Sequence, residues 1–244
     1  MNSEFDKKAG LNPVLAVQSL LQGMSMLTRK ELRKFILIPL LINFLLYSAM
    51  LYLGYHYVGV LVAQFIPGWL QWLSWLIYPV FFISFFVAGF FTFTLLANLI
   101  ASPFYCGLSA KTQQIIRGDT VPIQEQAISK VLFSELKRIA YLLSRAIPIA
   151  IISVVPGVNL IAPVLWGLFG AWGMSMEYFA YPLENQGLLF KEQREALKTV
   201  RIGALSFGGI VLLVLTIPVL NIVMPPIAVI SATIYRDKLV VKQP

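Results

Sequence analysis

The chain has 244 residues, of which 58% are hydrophobic and 12% are charged, and its mean hydropathy is +0.78. A soluble domain carries about 25% charged residues, so this composition excludes a disordered chain, a nucleic-acid-binding domain and an ordinary cytosolic enzyme. We therefore expect an integral membrane protein. Its net charge of +8 then indicates loops at an anionic membrane surface rather than contact with nucleic acid.

Residues 1–34 are expected to form an amphipathic, basic N-terminal segment without a signal peptide. The segment ends in the run TRKELRK, in which Thr28 and Glu31 have the spacing of a capping box. Four basic side chains crowd this predicted start of a helix, where the helix dipole disfavours cations. Two interpretations follow: an anion binds here through backbone N–H groups and Arg33, or the basic residues only hold the helix on the cytoplasmic side.

Three long stretches of the chain contain no charged residue, namely 35–110, 146–176 and 202–235. Because a charged side chain at the bilayer centre costs about 2.5–3.5 kcal/mol, such stretches indicate membrane-embedded segments. The first stretch is long enough for two long membrane helices. They are predicted at 35–66 and 69–100, on either side of the helix-breaking pair Pro67 and Gly68.

The region 103–145 is predicted to contain helices on the cytoplasmic side of the membrane. Ser102 and Pro103 have the pattern of an N-cap followed by proline at the first helical position. The second membrane helix should therefore end there, and a new helix should begin. That new helix should stop at Gly118, because glycine readily adopts the left-handed conformation that ends many helices.

An apolar stripe at helical spacing predicts an amphipathic helix between residues 121 and 145. The stripe consists of Leu132, Leu136, Ile139 and Leu143. Glu135 and Arg138 lie off the stripe, as expected for the polar side of such a helix. We expect the stripe to lie in the membrane interface or to pack on the cytoplasmic face of the protein.

The other two charge-free stretches are interrupted by proline and share the pattern P-x-x-N-x-x-x-P, which begins at Pro156 and again at Pro218. Proline breaks a helix locally, and asparagine favours turns. Each stretch is therefore predicted to be a helical hairpin that enters the bilayer only partway, hairpin 1 at 146–176 and hairpin 2 at 202–235. Each arm would have roughly 10–17 residues, fewer than the ~20 needed to span. The alternative is two proline-kinked full spans, which makes four spans in all.

The whole chain, 1–244, is predicted to be one all-α membrane domain. Its remaining segments are a charged loop or helix at 177–201 and a basic tail at 236–244. In the hairpin interpretation both segments lie on the same side as the basic N-terminal segment. In the four-span alternative, residues 177–201 lie on the opposite side.

Four asparagines within apolar runs are candidates for a polar path: Asn43, Asn98, Asn159 and Asn221. A buried amide needs a hydrogen-bonding partner or a solvated route. These residues therefore either line a path for a polar substrate or connect neighbouring helices.

The sequence contains no constellation of catalytic residues, and we expect neither enzymatic activity nor a cofactor or metal. The single histidine, His56, has no carboxylate or cysteine at ligand spacing. No P-loop, zinc motif or dinucleotide-binding pattern occurs, which excludes an ATP-driven pump within this chain. Proton relays normally need intramembrane acids or histidines, and no carboxylate lies inside a predicted span. A channel-like, passive mechanism is therefore the simpler prediction.

Six sequence blocks together resemble the CysZ family of bacterial inner-membrane sulfate transporters, over nearly the whole chain. The blocks are IPLLIN at 38–43, GWLQWLS at 68–74, ANLIASPF at 97–104, APVLW at 162–166, YPLEN at 181–185 and IPVLN at 217–221. No single block is specific, but six in order at the expected spacing are a specific match.

The resemblance implies a multi-pass protein of the bacterial inner membrane that takes up sulfate for cysteine biosynthesis. Its partners would be sulfate, the lipid bilayer and further copies of itself in a homo-oligomer. The resemblance also implies a sulfate contact at Glu31, Leu32 and Arg33, followed by Lys34, where Glu31 replaces a glycine that is usual in the family. The alternative function is a non-transporting membrane scaffold or assembly factor, in which the proline-broken segments serve only packing.

Overall fold

The computed structural model describes residues 5–65, 68–118, 124 and 126–240. Within these residues the chain is helical without any β-strand, apart from an isolated bridge between Phe5 and Val240, so the predicted all-α fold is confirmed. The α-helices are α1 Lys7–Gly10, α2 Pro13–Met26, α3 Arg33–Phe65, α4 Ser74–Arg117, α5 Ile128–Val154, α6 Ala162–Glu184, α7 Phe190–Thr199, α8 Arg201–Leu215 and α9 Pro218–Leu239. Short 3-10 helices occupy Gly68–Leu73 and Val158–Ile161.

The helices group into two compact units. The first unit contains the residues up to Arg33 and those from Tyr105 onward, and thus α1, α2, the last part of α4 and α5 to α9. The second unit is Lys34–Phe104, which contains most of α3 and the larger part of α4. The predicted organisation as a single membrane domain stays a prediction.

In the second unit, α3 and α4 correspond to the two predicted long helices. α3 passes through Pro39 and ends at Phe65, one residue before the predicted end. Pro67 lies outside the described residues. The chain then forms the 3-10 helix Gly68–Leu73, so α4 begins at Ser74 rather than at the predicted position 69. Three tryptophans at this point are 74%, 74% and 72% exposed, namely Trp69, Trp72 and Trp75.

The prediction that a helix ends before Pro103 is wrong. α4 is one continuous helix that contains Pro103 in its interior. Proline removes one backbone donor, but a helix continues past it where neighbouring groups satisfy the freed carbonyl. The predicted stop at Gly118 is confirmed, since Gly118 has a φ of +79° and its N–H donates to the carbonyl of Gln114 at 2.9 Å.

Hairpin 1 is formed by α5 and α6, which pack together, but its arms are longer than predicted. α5 passes through Pro148 without a break, so no helix boundary lies at residue 146, and α6 continues to Glu184. The chain reverses at Gly157, whose φ of +83° is accessible to glycine at little cost. The indole Nε1 of Trp166 donates to the Oγ of Ser153 at 3.0 Å and so connects the two arms.

Hairpin 2 is formed by α8 and α9, which also pack against each other. Thr216 and Ile217 join the two helices. The Thr216 hydroxyl donates to the carbonyl of Leu213 at 2.6 Å, one of the last carbonyls of α8. α9 continues past Pro225 and Pro226 and has 22 residues, more than predicted for a hairpin arm.

The shared proline–asparagine pattern does not produce the same turn in the two hairpins. In hairpin 1, Gly157 has a positive φ, and Asn159 lies in the 3-10 helix of the turn. In hairpin 2 the equivalent position is Val219, a β-branched residue for which a positive φ is strongly disfavoured. Pro218 instead occupies the first turn of α9, and Asn221 lies within that helix.

Length and composition indicate which segments can cross a membrane. Among the described residues, Arg33–Gly54 and Val158–Glu184 are long and apolar enough. The pair Phe190–Thr199 and Arg201–Leu215, bent by 105°, would add a third if it formed one span. These lengths agree with a membrane protein, and the segment ending in α6 is long enough to cross completely. The depth of both hairpins in the bilayer stays a prediction.

The core of the first unit forms where α6, α8 and α9 meet. Phe179, Phe207 and Tyr235, one from each helix, are fully buried, with ring centroids between 5.2 and 6.1 Å apart. Aromatic pairs at such distances contribute about 0.5–1.5 kcal/mol each beyond their burial. α6 and α8 approach closely because Gly208 lies directly against the carbonyl of Ala171, with no room for a Cβ atom.

The apolar stripe of α5 faces away from the protein. Its four residues are between 52% and 62% exposed: Leu132, Leu136, Ile139 and Leu143. Arg138, which lies off the stripe, is buried instead. The stripe therefore does not pack on this chain within the described residues, and its position in the membrane interface stays a prediction.

Candidate functional site

The basic run identified in the sequence forms a turn between α2 and α3. The N–H of Arg29 donates to the carbonyl of Met26 at 3.0 Å, and the N–H of Leu32 donates to the carbonyl of Arg29 at 3.1 Å. Leu32 is fully buried and anchors the turn. The exposed residues of the run are Thr28, Arg29, Lys30, Glu31, Arg33 and Lys34.

The predicted capping box is wrong. α3 begins at Arg33, so Thr28 is too far along the chain to cap its first turn. The Thr28 hydroxyl donates instead to the carbonyl of Ser25 at 3.5 Å, in the last turn of α2. Glu31, the other member of the predicted pair, precedes the helix and is exposed.

Arg33 is held in place by the turn that precedes it. Its Nε and Nη2 donate to the carbonyl of Thr28 at 3.4 and 3.3 Å. The guanidinium has five N–H donors, so this contact fixes its position and leaves donors on the exposed side. Arg33 is the first residue of α3, where the helix dipole favours an anion. Lys34, the next residue, is exposed, and its Nζ lies 4.9 Å from the centroid of the Phe35 ring.

Two of the four candidate asparagines are exposed at the turns of the hairpins. Asn159 lies in the 3-10 helix of hairpin 1, and Asn221 lies in the first turns of α9 in hairpin 2. The side chains of Asn43 and Asn98 lie outside the described part of the chain. A path formed by all four stays a prediction.

A buried charged cluster, which was not predicted from the sequence, lies between α5, α6 and α7. Its centre is Arg138, whose side chain is 6% exposed. Nη2 lies 3.2 Å from a Glu135 oxygen and 3.5 Å from a Glu184 oxygen, and Nη1 lies 3.6 Å from a Glu177 oxygen. Nη2 also donates to the amide oxygen of Gln193 at 3.0 Å. These contacts offset the cost of burying the guanidinium.

This cluster is closed to an incoming anion, because three carboxylates surround one guanidinium. Burial raises the pKa of Glu135, with Arg138 opposing the shift and Glu184 and Glu177 adding to it. The cluster can therefore hold three helices in register, but its cation is already neutralised. No group of three or more side chains suited to a metal ion occurs in the described part of the chain.

The sequence contained two signals that point to this cluster. Glu135 and Arg138 have the i, i+3 spacing of a helical ion pair, and Glu177 and Glu184 lie two turns apart on α6. Local spacing identifies a face of each helix, but it does not indicate that the two faces meet.

The YPLEN block connects α6 to the last part of α4. Nδ2 of Asn185 donates to the carbonyl of Cys106 at 2.9 Å, and the Cys106 thiol lies 3.9 Å from a Glu184 oxygen. The ring of Tyr181 packs edge to face on Tyr105, with centroids 5.5 Å apart. Burial, with smaller effects of nearby carboxylates, raises the pKa of Cys106 to about 12, so this thiol remains protonated.

The apolar helices together with an exposed basic turn before the first long helix define an α-helical integral membrane protein. Residues 19–226 match the family described as Sulfate transporter CysZ/Etoposide-induced protein 2.4. With a match over most of its length, the chain belongs to this family.

Similar proteins named Sulfate transporter CysZ occur in several pseudomonads. The protein of Pseudomonas fluorescens (strain Pf0-1) is 40% identical over 233 residues, which cover 91% of this chain and 93% of the relative. The protein of Pseudomonas aeruginosa (strain LESB58) is 39% identical over 230 residues, covering 89% and 92%. The protein of Pseudomonas syringae pv. tomato (strain ATCC BAA-871 / DC3000) is 39% identical over 227 residues, covering 89% and 90%.

Proposed function

We propose that this chain is a permease that takes up sulfate across the bacterial inner membrane and so supplies sulfur for cysteine biosynthesis. The observation that supports the proposal is the identity of 39–40% to proteins named sulfate transporters, over about nine-tenths of both chains. The family match over residues 19–226 includes the basic turn, hairpin 1 and the buried cluster. In this proposal the protein is multi-pass, is not an enzyme and needs no cofactor, and its partners are sulfate and the lipid bilayer.

Sulfate is first captured at the basic turn, by Arg33 and Lys34. The contact of Arg33 with the Thr28 carbonyl orients its guanidinium, and the burial of Leu32 keeps the turn in place. Glu31 adds one negative charge, but Arg29 and Lys30 in the same turn give an excess of cations. Charge-assisted hydrogen bonds contribute about 1.5–3 kcal/mol each, enough for reversible capture of a divalent anion.

Sulfate then moves along a polar path without ATP, in the manner of a channel. The exposed amides at the hairpin turns, Asn159 and Asn221, replace part of its hydration shell, together with Asn43 and Asn98. Exposed backbone and amides inside a bilayer require protein or water beside them. The path therefore requires further copies of the chain around it, in a homo-oligomer.

Uptake of radiolabelled sulfate into liposomes that contain only the purified protein tests this function. The proposal predicts uptake above that of empty liposomes, driven by a sulfate gradient alone. Uptake equal to that of empty liposomes would favour the alternative, a non-transporting scaffold in which the hairpins serve only packing.

A further inference from the structure

A small surface pocket lies between α5 and the N-terminal end of α7, within the first unit. Its volume is about 190 Å³, below the roughly 300 Å³ of a pocket for a drug-sized ligand, so it suits a compact polar group. Lys130 and Lys137 line it from α5, and Lys191 lines it from α7. The rings of Phe133 and Phe190 line the same pocket.

The pocket has an excess of positive charge. Its three lysines are exposed, and none of the ion pairs in the described residues includes them. Glu192 is the acidic residue in its lining, so three cations stand against one carboxylate. Nζ of Lys137 lies 4.5 Å from the centroid of the Phe133 ring, which places the charge above an apolar surface.

A buried hydrogen bond fixes the shape of the pocket. The N–H of Phe190, the first residue of α7, donates to the Oγ of Ser134 at 2.8 Å. Ser134 is 4% exposed, so this contact holds the start of α7 against α5. The lysines of the two helices therefore keep their spacing, and the N-terminal dipole of α7 adds to the positive potential.

The apolar side of the pocket continues onto the exposed stripe of α5. Phe133 is 59% exposed, and Leu136, three residues further along the helix, is 62% exposed. Residues at this spacing are neighbours on a helix surface. The stripe continues from Leu136 through Ile139 to Leu143. Clustered cations thus lie directly beside an unpartnered apolar surface.

We propose that this pocket and stripe bind an anionic phospholipid. Its phosphate lies against Lys130, Lys137 and Lys191, and its acyl chains lie along the stripe of α5. A soluble oxyanion would use the lysines but would gain nothing from the stripe, so the adjacency of the two surfaces favours a lipid. Basic pockets at a membrane surface are a common mode of headgroup recognition. The proposal involves neither Arg33 nor Lys34 and does not depend on sulfate transport.

Native mass spectrometry of the purified protein, titrated with phosphatidylglycerol, tests the headgroup contact. The variant K130Q/K137Q/K191Q should bind this lipid at least about tenfold more weakly than the wild type, because each lysine near a membrane surface contributes about fivefold. The matched control K7Q/K8Q/K198Q loses the same charge at exposed positions elsewhere and should bind like the wild type. Equal binding by the two triple variants would overturn the proposal.

Two further measurements distinguish a lipid from a soluble anion. The variant L136S/I139S keeps all three lysines and should also bind phosphatidylglycerol more weakly, because its acyl chains lose apolar contact. Millimolar inorganic phosphate or sulfate should leave most of the lipid bound. Unchanged lipid binding by the stripe variant, or complete displacement by either free anion, would show a soluble-oxyanion site and would contradict the lipid proposal.

Discussion

The guanidinium of Arg138 and the carboxylate of Glu184 lie 3.5 Å apart and connect α5 to α6 inside the first unit. The same guanidinium contacts Glu177, two turns earlier on the same face of α6, and Gln193 on α7. Removing one partner from a buried ion pair leaves the other charge uncompensated, which costs more than the pair itself contributes. Arg138 therefore contributes to holding hairpin 1 against α7, together with the hydrogen bond from the N–H of Phe190 to the Oγ of Ser134.

Replacing Arg138 with glutamine should destabilise the protein by about 3 kcal/mol, because the largely buried carboxylate of Glu184 loses its cation. For a protein of this size, the Tm of the purified protein in detergent should fall by roughly 6–12 °C. Arg145→Gln, an exposed arginine on the same helix, is the matched control and should have nearly the wild-type Tm. Equal Tm values for the two variants would show that the cluster does not stabilise the fold.

Neighbouring glycines of α8 allow a second test of packing. At Gly208 a Cβ atom would collide with the carbonyl of Ala171, whereas at Gly209 it would lie 3.7 Å from the Ala171 Cβ, an ordinary contact. Gly208→Ala should therefore destabilise by about 1–3 kcal/mol through overpacking. Gly209→Ala should be neutral or slightly stabilising, because alanine favours a helix. Thermal melts of both variants measure this difference, and a stable Gly208→Ala protein would contradict the close approach of α6 and α8.

The sequence was sufficient to predict the helices but not all of their ends. Composition and charge-free stretches predicted the all-α membrane class, and the predicted stop at Gly118 is confirmed. The reversal at Gly157 was not predicted, although its cause is the same, because glycine makes a positive φ inexpensive. Pro103 was expected to begin a new helix, and a segment boundary was expected at residue 146, but α4 continues through Pro103 and α5 continues past residue 146 through Pro148. A proline removes one donor, and whether the helix continues depends on neighbours that local sequence does not specify.

The raised pKa of the Cys106 thiol should be visible in the pH dependence of its reaction with thiol reagents. Because the raised pKa, about 12, keeps it protonated, its alkylation rate by a maleimide should rise about tenfold per pH unit up to pH ~10. Ser144→Cys in a Cys106→Ala background supplies an exposed thiol, whose rate should level off near pH ~9. Glu184→Gln removes a nearby negative charge and should lower the pKa of Cys106, which increases its rate at fixed pH. If the alkylation rate of Cys106 levelled off at the same pH as that of the control thiol, this would contradict the buried environment of Cys106.

The candidate site could be predicted only in part. The basic run before α3 was visible as charge, and Arg33 is exposed at the first residue of the helix. The prediction of a capping box was wrong because the Thr28 hydroxyl donates to the carbonyl of Ser25 in the last turn of α2 and does not cap α3. The burial of Arg138 was not predicted, because the spacing of the apolar stripe of α5 does not indicate what packs against the opposite, polar face of the helix. In a membrane protein, lipid can cover the apolar face of such a helix, and the polar face can then pack against the rest of the protein.

Sulfate binding should depend on the charges of Arg33 and Lys34. The double variant R33Q/K34Q should bind sulfate at least about tenfold more weakly, because charge-assisted hydrogen bonds contribute about 1.5–3 kcal/mol each. The control K198Q/R201Q loses the same charge at exposed positions near the α7–α8 junction and should retain wild-type affinity. Isothermal titration with sulfate measures both constants, and equal affinities would exclude the basic turn as the capture site.

The reversal potential of the purified protein in a planar bilayer, under a sulfate gradient and without nucleotide, measures whether the protein forms a passive sulfate pathway. A passive sulfate pathway predicts a current above that of the bare bilayer, whose reversal potential moves toward the equilibrium potential of sulfate as the gradient increases. A conductance no greater than that of the bare bilayer, or a reversal potential that does not follow the sulfate gradient, would show that the protein is not a passive sulfate pathway.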